Sequence, residues 1–313
     1  MNEWADKYFT HLTVRNYAAE TIASRKYCLK PFLAYLRSQG VQEPHSVTPE
    51  IIRNYQTYLF EQMNAQGKQN HVNYRNHVLF VAKSFLKFLK EQGVIAEDPG
   101  IDVEFAIEPK RLPRYVLTET EIKKLLDAPD KTTVLGYRDK TILEVFYSSG
   151  IRRSELINLR LNDVDLDGEV LRINSGKGDK DRVVPIGKIA CRYLKHYIHQ
   201  VRSFLVQDPT NDHLFLSREG NRISKCMLGL RLKEYAKKAG IVKNISPHTL
   251  RATCATHCIQ GKKRKEQMHP RYLMELLGHN SMEALNPYLS VSIVDLKEAH
   301  SRCHPREREK KVI

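Results

Sequence analysis

No stretch of this chain approaches the run of about 20 apolar residues that a membrane-spanning helix needs, and its 41% hydrophobic content is that of a globular protein. Nor is a secretory signal expected in the opening residues: Met1 to Phe9 carries three charges and the single tryptophan, with no basic head before an apolar stretch. A cytoplasmic location is therefore expected. Cysteine is sparse and dispersed, at positions 28, 191, 226, 254, 258 and 303, which fits reduced thiols better than a disulfide framework. There is no internal repeat, no long low-complexity tract and no G-x-x-x-x-G-K-[ST] loop for a nucleotide. Acidic residues are in deficit: 51 Lys and Arg against 36 Asp and Glu leave +15. A surface of that sign attracts polyanions by releasing their counterions, so nucleic acid heads the candidate partners.

The 313 residues suffice for two domains, each burying its own core. The first third has helical periodicity. Leu29, Phe32, Leu33 and Leu36 share a face, with Pro31 a kink and Gly40 the stop, and Thr48-Pro49 opens a helix lined by Ile52, Tyr55 and Leu59. Leu79, Ala82, Phe85, Leu86 and Leu89 line a third helix, from about Gln69 to Gln92, closed by Gly93. Asp98-Pro99-Gly100 is a turn. The segment 108–116, with Pro109, Pro113 and the basic residues Lys110, Arg111 and Arg114, is read as a linker.

Beyond it, Thr118-x-x-Glu121 is a capping box, an apolar helix is expected over Thr133–Ser148, and Ser154 is positioned to cap the next. Val170–Ile173 and Arg182–Pro185 read as a hairpin. Helices are then expected over Lys188–Val206, Ser224–Lys238, Pro247–Gln260, Arg271–Leu277 and Ile293–His300, before a charged tail over 301–313. The fold class is mainly α with a small β-sheet: a helical domain over 1–107 and an α+β domain over 117–300.

Four clusters of the second domain carry chemistry. In Gly150-Ile151-Arg152-Arg153-Ser154-Glu155 an arginine beyond a helix-ending glycine can offer a planar fork to a phosphate, with Glu155 fixing its orientation; a surface ion pair fits the same spacing. In Ser175-Gly176-Lys177-Gly178-Asp179-Lys180-Asp181-Arg182, flanking glycines let the Lys177 ammonium approach a partner closely, and a solvated turn has the same composition. In Ser246-Pro247-His248-Thr249-Leu250-Arg251, His248 and Arg251 share one face near a helix N-terminus that favours an anion. Last come Leu277-Gly278-His279 and, nine residues on, Tyr288, which alone could be a polar cap and a core tyrosine. Two arginines, a lysine, two histidines and a tyrosine suit metal-free phosphoryl transfer: guanidiniums neutralise the nonbridging oxygens, imidazoles and ammonium move protons, and the phenol attacks.

Arg152 with Glu155, Gly176-Lys177-Gly178, His248-x-x-Arg251, Leu277-Gly278-His279 and Tyr288 together resemble the ordered motif of the tyrosine recombinases, the phage integrase family, and within it the XerC and XerD-like branch. The resemblance spans nearly the whole chain. It implies a helical, SAM-like core-binding domain over 1–107 that binds DNA and a catalytic domain over 117–300. The implied activity is site-specific recombination (integration, excision or resolution) through a 3′-phosphotyrosyl intermediate and a Holliday junction. Arg152 and Arg251 would then clamp the phosphate, Lys177 protonate the leaving 5′ oxygen, His248 assist proton transfer, His279 support the phosphate or Tyr288, and Tyr288 attack. The implied partners are double-stranded DNA sites and three further recombinase subunits in a tetramer with exchanged C-terminal segments, a paralogue among them in some systems. Neither metal nor nucleotide cofactor is implied.

Three features depart from the family pattern: Ala252 where a second histidine is usual, a longer and more basic segment between Gln260 and Leu276, and Pro287 directly before Tyr288. Lys180, Arg182, Lys262, Lys263, Arg264 and Lys265 are expected DNA contacts, although a solvated turn accounts equally for 261–265. Cys254, His257 and Cys258 have a spacing that could suit zinc, but no fourth ligand follows, and a buried helix face explains them. The rival functions are DNA relaxation of the type IB topoisomerase kind and a non-catalytic DNA-binding accessory factor.

Overall fold

The first of two units, Met1–Lys110, is built on four helices: α1 (Asn2–Val14), α2 (Ala19–Ser38), α3 (Pro49–Glu61) and α4 (Val72–Glu91). The computed structural model describes residues 1–108, 116–174, 181–260, 267–278, 281 and 285. Helix α2 packs on α4, and α1 and α3 close the bundle against α4. The core they enclose holds Leu29, Phe32, Ile52, Tyr55, Phe85 and Leu86, all fully buried. Each of the leucines, phenylalanines and isoleucine among them contributes about 1.5–3 kcal/mol through removal from water. Thr48 caps α3 as its sequence requires, its hydroxyl accepting the Ile51 N–H at 3.3 Å with Pro49 at the first helical position.

Two expectations here need correction. Helix α1 was not anticipated, although Ala5, Tyr8 and Leu12 share its buried face. Helix α4 starts at Val72 rather than near Gln69, because the His71 ring nitrogen accepts the Asn73 N–H and takes the capping role.

The second unit, Arg111–Ile313, carries α5 (Glu119–Asp127), α6 (Val134–Ser149), α7 (Arg153–Asn158), β1 (Val164–Asp165), β2 (Val170–Ile173), β3 (Arg182–Pro185), α8 (Lys188–His196), α9 (Lys225–Lys238), α10 (Pro247–Ile259) and α11 (Pro270–Leu277). The strands form one antiparallel sheet in the order β1-β2-β3, with Val170 opposite Pro185 and Ile173 opposite Arg182. The two-residue strand β1 is an addition to the expected hairpin, too short to show a period of two. The helix expected over Lys188–Val206 is α8 followed by a π-helical turn (Tyr197–Val201) and a 3-10 turn (Arg202–Phe204). Ser154 does not cap α7. Arg152 stands at that position, and the Glu155 carboxylate accepts its N–H at 2.6 Å.

The capping box of α5 is complete: Thr118 Oγ1 accepts the Glu121 N–H at 3.2 Å and Glu121 Oε2 accepts the Thr118 N–H at 2.7 Å. Helix α6 is the centre of the unit, in contact with α8 and α10. It buries charge as well as apolar surface. Arg138 is 2% exposed, donating to Asp139 Oδ1 and the Leu216 carbonyl, while Asp139 Oδ2 accepts from Arg231 and Tyr235. No described helix is long and apolar enough to cross a membrane. Most of the expected linker (109–115), the hairpin tip (175–180), the basic run (261–265) and the helix expected at 293–300 lie outside the described residues.

Candidate active site

Helix α6 ends because Gly150 adopts φ +60°, a left-handed conformation costly for any residue with a Cβ. The chain turns there and places Arg152 at the start of α7. Glu155, three residues on, holds that arginine twice: Oε2 accepts its backbone N–H and Oε1 accepts Nη1 at 2.9 Å. The other end of the guanidinium, Nη2, donates to the Gly278 carbonyl at 2.6 Å. The side chain is 32% exposed, so a partner can reach it.

Arg251 comes from the first turns of α10. Ser246 caps that helix, accepting the Thr249 N–H, and Pro247 supplies the first helical φ. The Arg251 side chain lies in the interior, the residue being 6% exposed, with Nη1 on the Gly150 carbonyl at 2.8 Å and Nη2 on the Leu277 carbonyl at 2.6 Å. Both arginines thus converge on the C-terminal end of α11, where Gly278 closes the helix at φ +64°. His248, one turn before Arg251, is exposed at the start of the same helix. The other expected groups, Lys177, Lys180, Lys262, Lys263, Arg264, Lys265, His279 and Tyr288, lie outside the described residues.

Arg182 was expected to meet DNA. Instead its side chain is turned inward, 12% exposed, with Nη1 and Nη2 each 2.9 Å from one oxygen of Glu155. Burial raises the Glu155 pKa, but the hydrogen bonds from Arg182 and from the Arg152 backbone outweigh it and leave the carboxyl below its ordinary value. Sequence reasoning found Glu155 and Arg152 as a pair and missed this third member. The carbonyls of Gly150, Leu277 and Gly278 were missed as well, although a helix-ending glycine beside a candidate arginine marks where such an acceptor can face inward.

Of the residues whose spacing could suit zinc, Cys254 is buried, and His257 Nδ1 shares a 2.8 Å hydrogen bond with the Tyr147 hydroxyl. Among the described residues no group of three potential ligands assembles.

The model of the phage integrase family matches residues 115–293, more than half of the chain. Tyrosine recombinase XerC 2 of Ralstonia nicotianae is 31% identical over 313 residues, covering 100% of this chain and 88% of that protein. Tyrosine recombinase XerC of Chlamydia muridarum is 37% identical over 257 residues, covering 82% of this chain and 78% of that one. A solved Tn1549 transposon integrase, in complex with circular intermediate DNA, shares the fold at a TM-score of 0.73 and 18% identity, with 96% of this chain and 99% of that chain covered. The chain belongs to the phage integrase family, the tyrosine recombinases, enzymes that break and rejoin DNA strands in site-specific recombination.

Proposed function

We propose that Arg152 and Arg251 together bind the scissile phosphate of a recombination site and that Tyr288 is the nucleophile. The observation that carries this reading is the convergence of the two guanidiniums on the adjacent carbonyls of Leu277 and Gly278. The carbonyls hold both groups in place before any substrate arrives, and preorganised charge of this kind is what stabilises a phosphoryl-transfer transition state. His279 follows Gly278 directly in the chain, which supports a role beside that phosphate.

In the reaction, the Tyr288 oxygen bonds to phosphorus as the bond to the 5′ oxygen breaks. The phenol loses its proton with help from His248, and Lys177 gives one to the leaving oxygen. The phosphotyrosyl link keeps the phosphoester bond energy for a later attack by a 5′ hydroxyl of a partner strand. The helical unit over 1–107 binds the flanking duplex, and four subunits act together with exchanged C-terminal segments, a paralogous recombinase among them in some systems. The basic residues Lys180, Lys262, Lys263, Arg264 and Lys265 add phosphate contacts, and the protein acts in the cytoplasm on chromosomal or mobile-element sites.

A nicked suicide duplex tests the core of this reading. The wild-type protein should give a covalent adduct on a denaturing gel, and Tyr288→Phe should bind the same duplex without forming one. An adduct that persists in Tyr288→Phe, or none with the wild type, would defeat it.

A further inference from the structure

Arg182 takes no part in the chemistry above, yet all three of its donor nitrogens are engaged. Nη1 and Nη2 form a two-point fork with the Glu155 carboxylate at 2.9 Å each, and Nε lies 3.4 Å from the Leu276 carbonyl. Glu155 is itself 8% exposed, and its same two oxygens serve Arg152 through Nη1 and the backbone N–H. One buried carboxylate is therefore shared by two guanidiniums. The arrangement is close: a Cβ on Gly278 would come 2.8 Å from Arg182 Cζ, so the guanidinium lies against the backbone of the residue whose carbonyl receives Arg152.

Two physical consequences follow for Arg152. Arg152 by itself meets each Glu155 oxygen once, and the planar fork of Arg182 adds a second donor to each, stiffening the plane of the carboxylate and hence the direction in which Arg152 is held. Charge is the second consequence. Arg152 with Glu155 alone is a neutral pair, with little net attraction for a phosphate. Adding Arg182 restores one positive charge to the trio at short range, in surroundings where water screens poorly.

We propose that Arg182 is a positioning residue for cleavage: it fixes the plane of the Glu155 carboxylate and offsets its charge, so that Arg152 meets the scissile phosphate in one orientation with its attraction undiminished. The inference rests on the reading of Arg152 as a phosphate ligand. Arg182 acts through Glu155 and does not touch the DNA.

The test uses the full-length protein with Arg182→Gln, Arg182→Lys and Arg152→Ala, on two suicide duplexes. One has an ordinary scissile phosphate; the other has a neutral methylphosphonate there, which lacks the charge that Arg152 neutralises. Arg182→Gln should bind either duplex as the wild type does, and cleave the phosphodiester roughly 100-fold more slowly, the scale of losing one preorganised donor. Its deficit relative to wild type should shrink to under about tenfold on the methylphosphonate, as should that of Arg152→Ala. Arg182→Lys, which keeps the charge but not the fork, should fall between Gln and wild type.

Wild-type cleavage by Arg182→Gln beside an inactive Arg152→Ala overturns this role and leaves the reading of Arg152 standing. Wild-type cleavage by Arg152→Ala removes both. An equal deficit on the two duplexes in both Arg182 variants identifies a structural strut, and a loss of DNA affinity identifies a DNA contact; either outcome overturns the proposal.

Discussion

The Gly150 carbonyl oxygen accepts a hydrogen bond from Arg251 Nη1 at 2.8 Å, tying the last turn of α6 to the opening of α10. The glycine contributes to this link through its backbone shape. Its φ of +60° ends one helix, turns the chain toward Arg152 and leaves a carbonyl facing the interior, where Arg251 meets it.

Gly150→Ala should therefore be costly. A Cβ there is strained at positive φ and would come within 3.1 Å of both Cys254 Sγ and Leu277 Cδ2. The expected loss is about 1–2 kcal/mol from backbone conformation, with crowding in addition. A urea denaturation midpoint unchanged from wild type would contradict this.

Arg251→Lys keeps the charge but cannot span the carbonyls of Gly150 and Leu277 with one planar group. Cleavage in single turnover should fall by about 10²–10³-fold, as when a preorganised donor is removed. Stability should drop by about 1–3 kcal/mol, because a buried carbonyl loses its partner. Full activity would show that Arg251 is not held where its chemistry needs it by these two bonds.

Acid should reveal Glu155. Its folded-state pKa lies below the ordinary 4.5, so its contribution is fully present above that pH and is lost as pH falls through the folded value. Glu155→Gln should be less stable than wild type at pH 7 by about 3 kcal/mol, since two arginines lose a shared buried partner. The gap should narrow below pH 4.5. Denaturation curves from pH 3 to 7 that run parallel for the two proteins would rule this out.

Replacing Lys262, Lys263, Arg264 and Lys265 by glutamine should flatten the dependence of DNA affinity on salt. If all four meet phosphates, the slope of log affinity against log salt changes by about 3–4. Titrations at several salt concentrations measure it directly, and an unchanged slope would identify a solvated loop.

Within α6, Asp139→Ala should unfold the protein more readily than any surface change, by about 3–5 kcal/mol, because Arg138, at 2% exposure, keeps its charge and loses its carboxylate. Thermal denaturation at constant pH checks it.

The features legible along the chain are local ones. Thr48 with Pro49, Thr118 with Glu121, and Ser246 with Pro247 open helices where their side chains and fixed backbone angles dictate, since each cap involves residues within one turn. The hairpin strands were legible for the same reason, and the ordered set of arginines, histidines, lysine and tyrosine pointed to a family because its spacing is visible along the chain. Tertiary structure alone decided the rest. It brought Arg152 and Arg251 to the same helix end, turned Arg182 from an expected DNA contact toward Glu155, and buried Arg138 and Asp139 in a helix with an apolar pattern. These relations join residues far apart in sequence, and the direction of a guanidinium depends on which carbonyls and carboxylates packing brings within 3 Å of it. No periodicity of the chain encodes that.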